Sequence, residues 1–277
     1  MVITKAEMTG PFLVYRFNEE AIGRENITLA VVDEDDPLDF VKDDDVIISR
    51  TFCKKLLHII LNKGCKSTAE EYSVYQLCRN KERLSDRLGM SGVLMPRRYS
   101  IEDVDDGNLY FVKPSIGGDS LGITTKCICS SKAEVLSEQN RIGATLGQTA
   151  IIEDFIYGKE YTVACVNTDS LHTYAIEVDC TGVGGIQTQY SKEHFLEYCS
   201  AANAIELNDI SARIFHLLGL KHHARMDFRK DKDGKFYLID INLLPGLGPT
   251  AHLAKAMLLT ENISYIDAMK AIVKSAS

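Results

Sequence analysis

The sequence predicts an α/β protein built from several α+β lobes, and three observations lead to this prediction. Short runs rich in β-forming residues alternate with segments whose apolar residues recur at helical spacing. The 277 residues correspond to about two domains of roughly 150 residues each. The hydrophobic fraction of 45% and the charged fraction of 25% are those of an ordinary globular protein, which excludes disordered and collagen-like chains.

Residues 1–77 alternate predicted strands with predicted helices, which indicates a small N-terminal α/β domain. Apolar residues from Phe52 to Ile60 recur at helical spacing, and Gly64 is expected to end this helix. Thr68 and Glu71 have the spacing of a capping box, which predicts the start of a second helix. The predicted strands of this region cover residues 12–17, 27–32 and 46–48.

Residues 78–157 are predicted to form a β-rich unit with a capped helix. A helix is expected over 80–88, where Gly89 ends it, and a second helix runs from a capping box at Ser131 and Glu134 to about residue 146. Predicted strands cover residues 97–100, 109–113, 121–128 and 150–155, with a glycine-rich loop over 115–120.

Residues 158–277 are predicted to contain a second sheet that is closed by helices. A β-hairpin is expected over 224–242, and a box at Ser264 and Asp267 opens the second of two amphipathic C-terminal helices. The other predicted elements are strands over 160–166 and 171–178, a loop over 182–189 and helices over 192–218.

Charge and cysteine content exclude several classes of partner and compartment. Thirty-nine acidic residues against 31 Lys and Arg give a net charge of −8, which disfavours nucleic acid and anionic membranes. No apolar run approaches the roughly 20 residues that cross a bilayer, and the N-terminus lacks a signal-peptide layout. The eight cysteines contain no C-x-x-C pair. We therefore expect a cytoplasmic protein with reduced thiols.

The hairpin is the most informative stretch of the sequence. Asp233-Gly234 is a two-residue turn signal, and a turn there places Asp227 opposite Asp240 and Arg225 opposite Asn242. Met226, Phe228, Tyr237, Ile239 and Ile241 then point to the core face. Facing carboxylates repel unless a cation lies between them, and this oxygen set suits Mg²⁺ with phosphate oxygens. The alternative is a solvated polar face with weak repulsion.

Two further segments have the composition of a nucleotide site. Lys113 ends a predicted strand before a loop with Gly117, Gly118 and Gly122, whose backbone N–H groups would approach phosphate oxygens. Glu153 and Glu160 flank an apolar segment that could pack against a base, with carboxylates for its amino group and for the ribose. Taken alone, the first segment is equally compatible with a plain turn and the second with surface acids.

Taken in their order along the chain, these segments resemble the ATP-grasp superfamily, above all D-alanine–D-alanine ligases and related carboxylate–amine ligases. The most specific part is the run from Arg225 to Thr250, which contains Arg225-Met-Asp-Phe-Arg, Tyr-Leu-Ile-Asp-Ile-Asn242 and Pro245-Gly246. Asn80-Lys81 resembles an early phosphate-binding lysine. The resemblance implies an ATP-grasp fold in which 1–77 is a small pre-ATP-grasp domain, 78–157 a central lid subdomain and 158–277 the catalytic subdomain.

The resemblance also implies roles for individual residues. The catalytic residues would be Arg225, Gly246 and Ser120, with Arg225 and the main chain near Gly246 stabilising the acyl phosphate and the tetrahedral species. Asp227, Asp240 and Asn242 would hold Mg²⁺, as two ions, with Mn²⁺ as an alternative. The residues that bind ATP would be Lys81, Lys113, Gly117, Gly118, Ser120, Glu153, Phe155, Ile156 and Glu160.

The implied reaction is ATP-dependent amide-bond formation between a small carboxylate and an amine, with amino acids as the expected substrates and a homodimer as the expected assembly. The sequence departs from the family near the substrate carboxylate, where Ala251 replaces an expected Ser, and at the second metal carboxylate, where Asp240 replaces the usual Glu. The loop lacks the family's Glu and one of its two Ser residues. The region around Ile48-Ser-Arg50 is also similar to ribosomal-protein glutamate ligases.

Three alternatives remain open from the sequence alone. One is an ATP-grasp kinase that phosphorylates a small molecule, and another is a nucleotide-binding partner protein with degenerate catalysis. The third concerns His252, which follows the Pro-Gly turn and would either meet a substrate carboxylate or serve the structure. For His222 and His223 we expect a structural or solvent-facing position.

Overall fold

The computed structural model describes residues 2–4, 30–118, 120–188, 191 and 196–276. The strand predicted over 12–17 lies outside these residues. All eight cysteines are free thiols. Within the described ranges, no helix combines the length and apolar character needed to cross a membrane.

The N-terminal region pairs short parallel strands and packs them against two helices. Its elements are β1 (Val2–Thr4), β2 (Ala30–Val32), β3 (Val46–Ile47), α1 (Lys54–Asn62), β4 (Lys66–Ser67) and α2 (Tyr72–Arg79). Strand β1 pairs with β2, and β3 pairs with β4. The capping box predicted at Thr68 is wrong, because the Thr68 hydroxyl accepts a hydrogen bond from the Ser49 amide (2.9 Å) and α2 begins at Tyr72 without a side-chain cap.

The central region is a four-stranded antiparallel sheet covered by one long helix. Its elements are α3 (Lys81–Gly89), β5 (Arg98–Tyr99), β6 (Tyr110–Pro114), β7 (Ile128–Cys129), α4 (Lys132–Leu146) and β8 (Ala150–Asp154), with strand order β5-β8-β6-β7. Ser131 caps α4 by accepting from the Glu134 amide, which confirms the predicted cap, while the Glu134 carboxylate accepts from the Ser130 amide. The strand predicted over 121–128 is wrong, since a 3₁₀ turn occupies Thr125–Cys127 and only Ile128–Cys129 pair with β6.

The C-terminal region is a five-stranded antiparallel sheet with strand order β11-β10-β9-β12-β13. Its elements are β9 (Glu160–Asn167), β10 (Leu171–Asp179), β11 (Glu197–Ser200), α5 (Ala204–Leu217), β12 (His223–Lys230), β13 (Phe236–Asn242), α6 (His252–Glu261) and α7 (Tyr265–Lys274). The prediction of helix over 192–218 is wrong at residues 197–200, which pair with the edge of β10. Ser264 caps α7, as predicted.

Side-chain alternation along β9 divides the core between the two faces of this sheet. Val163 and Cys165 pack with α5 and the N-terminal helices, while Ala164 and Val166 pack with α6 and α7. The second face continues from β9 onto Arg225 and Asp227 of β12, because Arg225 lies beside Ala164 and Asp227 beside Thr162. One face of the sheet therefore packs its apolar side chains against α6 and also carries the charged side chains of Arg225 and Asp227.

The hairpin register is as predicted at the charged end and shifts beyond it. Arg225 pairs with Asn242 and Asp227 with Asp240, whereas Phe228 pairs with Leu238 because a bulge intervenes at Ile239. The Asp231 amide donates to the Lys235 carbonyl, so the turn contains three residues and not the predicted two, and the Asp231 carboxylate accepts from the Asp233 and Lys235 amides. The prediction that Tyr237 and Ile239 are core residues is therefore wrong, and Phe236 and Leu238 are buried instead.

Candidate active site

A cavity of about 820 Å³, counting the part open to solvent, collects most of the predicted nucleotide and metal residues. The predicted residues that line it are Lys81, Lys113, Gly117, Gly118, Ser120, Glu153, Phe155, Ile156, Glu160, Asp227 and Asp240. The predicted residues that do not line it are Arg225, Asn242 and Gly246. The cavity wall thus joins residues of both sheets to the glycine-rich loop.

Lys113 and Glu153 form a buried ion pair inside the cavity. The Lys113 Nζ lies 2.6 Å from a Glu153 carboxylate oxygen, and both side chains are more than nine-tenths buried. Lys113 also donates to the Ile239 carbonyl at 3.1 Å, so it connects β6 to the bulge of β13. The sequence assigned these residues to separate parts of a nucleotide, and the structure places them in contact.

Lys81 is held at the start of α3 by the glycine-rich loop. Its amide donates to the Ser115 carbonyl (3.0 Å), and its Nζ donates to the Gly117 carbonyl (2.7 Å). The same Nζ lies 3.5 Å from Asp240. Burial lowers the pKa of Lys81, and the Asp240 carboxylate opposes that shift. A lysine at the start of α3, held by the loop, is therefore directed at the carboxylate pair of the hairpin.

The far end of the glycine-rich loop is anchored by residues that the sequence analysis missed. Arg141 forms an ion pair with Glu138 (2.6 Å) and donates to the Gly122 carbonyl at the same distance. The Cys127 thiol donates to Glu138 at 3.1 Å, and burial raises the pKa of that thiol to about 11. The i,i+3 spacing of Glu138 and Arg141 on α4 was a local signal for their ion pair, whereas their contacts with Gly122 and Cys127 depend on tertiary structure.

One wall of the cavity is aromatic and carries a cation. The rings of Phe111 and Phe155 stack with centroids 6.1 Å apart, and the Arg229 guanidinium lies 4.8 Å from the Phe155 centroid. Arg229 is a second residue that the sequence analysis missed. Its position two residues after Asp227 on β12, and so on the same face, was a signal that could have identified it.

Glu160 is buried among polar partners at this wall. Its carboxylate accepts from the Gln187 amide at 2.7 Å and lies 3.5 Å from the Arg229 guanidinium. Arg229 also donates to the carbonyls of Gly158 (3.0 Å) and Gly185 (2.8 Å). Gln187, another residue missed from the sequence, comes from an irregular segment in which no periodic pattern marks the inward side chains.

Asp227 and Asp240 face each other across β12 and β13, as the sequence predicted. Asp227 accepts from the Thr162 hydroxyl (2.7 Å) and pairs with Arg225 (2.9 Å), while the Asn242 amide oxygen accepts from the Leu244 amide (2.8 Å). No group of three His, Cys, Asp or Glu side chains suited to a metal occurs among the described residues. Two facing carboxylates and an amide oxygen still fit Mg²⁺ when phosphate oxygens complete its shell.

Arg225 lies beside this carboxylate pair and outside the cavity lining. Its guanidinium is turned onto Asp227, with Nε 3.1 Å from Oδ1 and Nη2 2.9 Å from Oδ2. Gly246 is close to α6, since a Cβ at that position would lie 3.2 Å from the Ala251 methyl group. The two predicted oxyanion groups thus flank the end of the hairpin that carries Asn242.

The histidines of the sequence analysis are buried. The His222 ring lies within hydrogen-bond distance of the Ser275 (2.8 Å) and Ala69 (3.2 Å) carbonyls, which supports the structural role expected for it. Neither ring nitrogen of His223 has a partner in the described structure, and burial lowers the pKa of His223 to about 3. His252 lies 2.8 Å from the Gln187 side-chain oxygen.

His223 is expected to make the protein sensitive to acid. Because its folded pKa of about 3 is below the unfolded value of roughly 6.5, the unfolded state gains a proton as the pH falls from about 6.5 to 3. Between pH 7 and 5 this costs about 2 kcal/mol of unfolding free energy. Urea unfolding of His223→Gln should show a correspondingly smaller loss of unfolding free energy between pH 7 and 5 than the unsubstituted chain. His172→Gln, at an exposed site, should show the same loss as the unsubstituted chain. Equal losses in His223→Gln and the unsubstituted chain would exclude this role.

Gly158, beside the Arg229 contact, is expected to tolerate no side chain. A Cβ there would lie 1.8 Å from the Lys230 carbonyl oxygen, a separation that requires backbone displacement. Gly158→Ala should therefore destabilise the protein by about 2–4 kcal/mol. Gly182→Ala is the matched control, since a Cβ there meets nothing within 4 Å. Thermal unfolding of both variants tests the prediction, and equal melting temperatures would contradict it.

Comparison with known proteins adds sequence similarity to this geometry. The family model described as "D-ala D-ala ligase C-terminus" matches residues 103–274. The D-alanine–D-alanine ligase of Francisella philomiragia is 31% identical over 168 residues, which are 60% of this chain and 54% of that protein. The D-alanine–D-alanine ligase B of Chromobacterium violaceum is 31% identical over 162 residues, which are 57% of this chain and 51% of that protein. This chain's matched part spans about half the length of these curated relatives.

Solved structures show the same fold at lower identity. The D-alanine–D-alanine ligase of Bacillus anthracis, solved in complex with ATP, aligns with a TM-score of 0.73 at 16% identity and covers 99% of this chain and 94% of its own. The VanG D-Ala:D-Ser ligase of Enterococcus faecalis aligns with a TM-score of 0.63 at 18% identity, over 79% of this chain and 68% of that one. The predicted ATP-grasp fold is therefore confirmed.

Proposed function

This chain belongs to the family of the D-ala D-ala ligase C-terminus, and on that premise we propose that it is an ATP- and Mg²⁺-dependent carboxylate–amine ligase that joins amino-acid substrates. The observation that carries the proposal is the cavity itself. It brings Lys81 and Lys113 into one space with the facing carboxylates Asp227 and Asp240, next to the buried Arg225. Two lysines beside a glycine-rich loop, opposite a pair of hard-oxygen ligands, suit a nucleoside triphosphate with its metal.

ATP would lie with its base at the aromatic wall and its phosphates toward the hairpin. Phe155 and Ile156 would flank the base, with Glu153 facing its amino group, and Glu160 would hold the ribose. Lys81, Lys113 and the loop residues Gly117, Gly118 and Ser120 would hold the phosphates. The Bacillus anthracis ligase of the same fold was solved in complex with ATP, which supports ATP as the nucleotide.

Asp227, Asp240 and Asn242 would hold Mg²⁺, as two ions, with Mn²⁺ as an alternative. When bound, the metal supplies neutralisation of phosphate charge. Lys81 lies 3.5 Å from Asp240, so a lysine that would hold phosphate oxygens stands beside a proposed metal ligand.

The chain's own groups would then orient the reactants and exclude water. The donor carboxylate attacks the γ-phosphate of ATP, which releases ADP and gives an acyl phosphate. The amine next attacks the acyl carbon, and phosphate leaves. Arg225 and the main chain near Gly246 would stabilise the oxyanion of the tetrahedral species. Closure of the loop at Ser120 would keep water from the acyl phosphate.

Substrates, assembly and compartment are the least constrained parts of the proposal. D-Alanine appears in the names of the relatives, which supports amino acids as donor and acceptor. We propose a homodimer from the family, and the cytoplasm as the compartment because ATP and reduced thiols occur there together. The cavity between two sheets supports lobes at 1–77, 78–157 and 158–277. No nucleic-acid or membrane partner is proposed.

A screen for phosphate release tests the proposal. Pairs of D- and L-amino acids and small acids are incubated with the protein, ATP and Mg²⁺, and the products are analysed by mass spectrometry. A ligase requires both substrates and gives a product lighter by one water than their sum. A phosphorylated product from one substrate would identify a kinase. ATP binding without phosphate release for any pair would contradict ligation and indicate a degenerate binding protein.

A further inference from the structure

Gln187 connects three parts of the site through one residue. Its side-chain amide nitrogen donates to Glu160 (2.7 Å), and its amide oxygen lies 2.8 Å from the His252 Nε2. Its backbone carbonyl accepts from the Ser120 hydroxyl at 3.2 Å. Gln187 lines the cavity and is only 6% exposed. No role implied by the family resemblance explains this residue.

The donor–acceptor direction of these hydrogen bonds follows from the carboxylate of Glu160. An ionised carboxylate only accepts hydrogen bonds, so the Gln187 amide nitrogen must face Glu160 and the oxygen must face His252. That oxygen needs a donor, so the His252 Nε2 carries the proton. Glu160, Gln187 and His252 are all more than nine-tenths buried. A hydrogen bond to an ionised group is about twice as strong as one between neutral groups.

The neighbouring contacts restrict Glu160 from the opposite side. The Arg229 guanidinium lies 3.5 Å from Oε2, while Gln187 donates to Oε1. Arg229 also donates to the Gly185 carbonyl, two residues before Gln187, which fixes the segment that carries the amide. The two carboxylate oxygens are thus oriented by partners from β12 and from the 182–188 segment.

We propose that Gln187 is a positioning residue that orients Glu160 toward the ribose and makes the site discriminate ribose from deoxyribose. This inference rests on the proposed nucleotide site. A carboxylate that accepts hydrogen bonds from a ribose diol discriminates only when its oxygens are held in place, because a mobile carboxylate can turn to a single hydroxyl. Gln187 supplies that restraint without contact with the reacting phosphates.

Binding of ADP and of 2′-deoxyADP with Mg²⁺, measured by calorimetry, tests this inference independently of turnover. The unsubstituted chain should prefer ADP by about tenfold, which corresponds to one hydrogen bond to a charged group. In Gln187→Leu and in the isosteric Gln187→Glu the preference should fall below about threefold, with weaker ADP binding. Gln139→Leu on α4 is the matched control and should keep both values.

A substitution of similar size separates positioning from packing. Gln187→Met keeps the length of the side chain and removes its hydrogen bonds, so the ADP preference should fall as it does in Gln187→Leu. Circular dichroism verifies the fold of each variant. Retention of the ADP preference in Gln187→Met, or in both Gln187→Leu and Gln187→Glu, would overturn the inference while the ligase proposal stands. Absence of ADP binding to the unsubstituted chain would instead reject the nucleotide site itself.

Discussion

Replacing Arg225 with alanine is expected to slow ligation by about 10²–10³-fold, the effect of removing one oxyanion donor. Arg225 is only 4% exposed, and its Nε and Nη2 both donate to the Asp227 carboxylate. Its guanidinium is therefore already oriented before any substrate binds. Such preorganised donors cost no reorganisation when charge develops on the acyl oxygen. The measurement is the rate of amide formation at saturating ATP and substrates.

The Arg225 result is interpretable only alongside the stability of the variant. Arg225→Ala leaves the buried Asp227 without its cation, which should destabilise the fold by about 3 kcal/mol. Assays therefore belong well below the melting temperature, which thermal unfolding gives. Arg225→Lys keeps the charge without the two-nitrogen contact and should fall between the two rates. Arg213→Ala, an exposed site on α5, should remain within about twofold of the unsubstituted rate. Near-normal ligation by a folded Arg225→Ala would exclude the proposed role.

Replacing Asp240 with asparagine is expected to weaken Mg²⁺ binding and to slow turnover by on the order of 10²–10³-fold. The substitution removes one of the two facing carboxylates and preserves the shape of the side chain. A neutral amide opposite Asp227 binds a divalent cation more weakly than a carboxylate does. Titration of activity with Mg²⁺ should give a half-saturation concentration at least about tenfold higher.

The control for Asp240→Asn is Asp209→Asn, which removes an acid from the exposed side of α5. Its Mg²⁺ titration should match that of the unsubstituted chain. Because Lys81 lies 3.5 Å from Asp240, the double variant Lys81→Met and Asp240→Asn tests whether repulsion between Lys81 and the metal ion, no longer offset by the Asp240 carboxylate, contributes to the effect. Unchanged Mg²⁺ half-saturation in the single variant would show that Asp240 is no metal ligand.

Local patterns were sufficient where one interaction decides the structure. Ser131 and Ser264 cap their helices as predicted, because each hydroxyl has only its own first turn within reach. Thr68 failed as a cap since its hydroxyl is used by the Ser49 amide, nineteen residues away. The strand predicted over 121–128 failed for a similar reason, because Arg141 and Cys127 bind the Gly122 carbonyl and hold the chain in a different path.

The sequence alone was enough to predict the α/β class from the spacing of apolar residues and the family resemblance from the motifs between Arg225 and Thr250. It also predicted that Asp227 faces Asp240, and this holds in the structure because the extra residue of the turn is offset by the bulge at Ile239. Tertiary structure decided the bulge at Ile239, the strand β11 and the ion pair of Lys113 with Glu153. It also decided the position of Gln187 on the cavity wall. These features depend on segments far apart in the chain, and no spacing within a single segment encodes which distant groups meet.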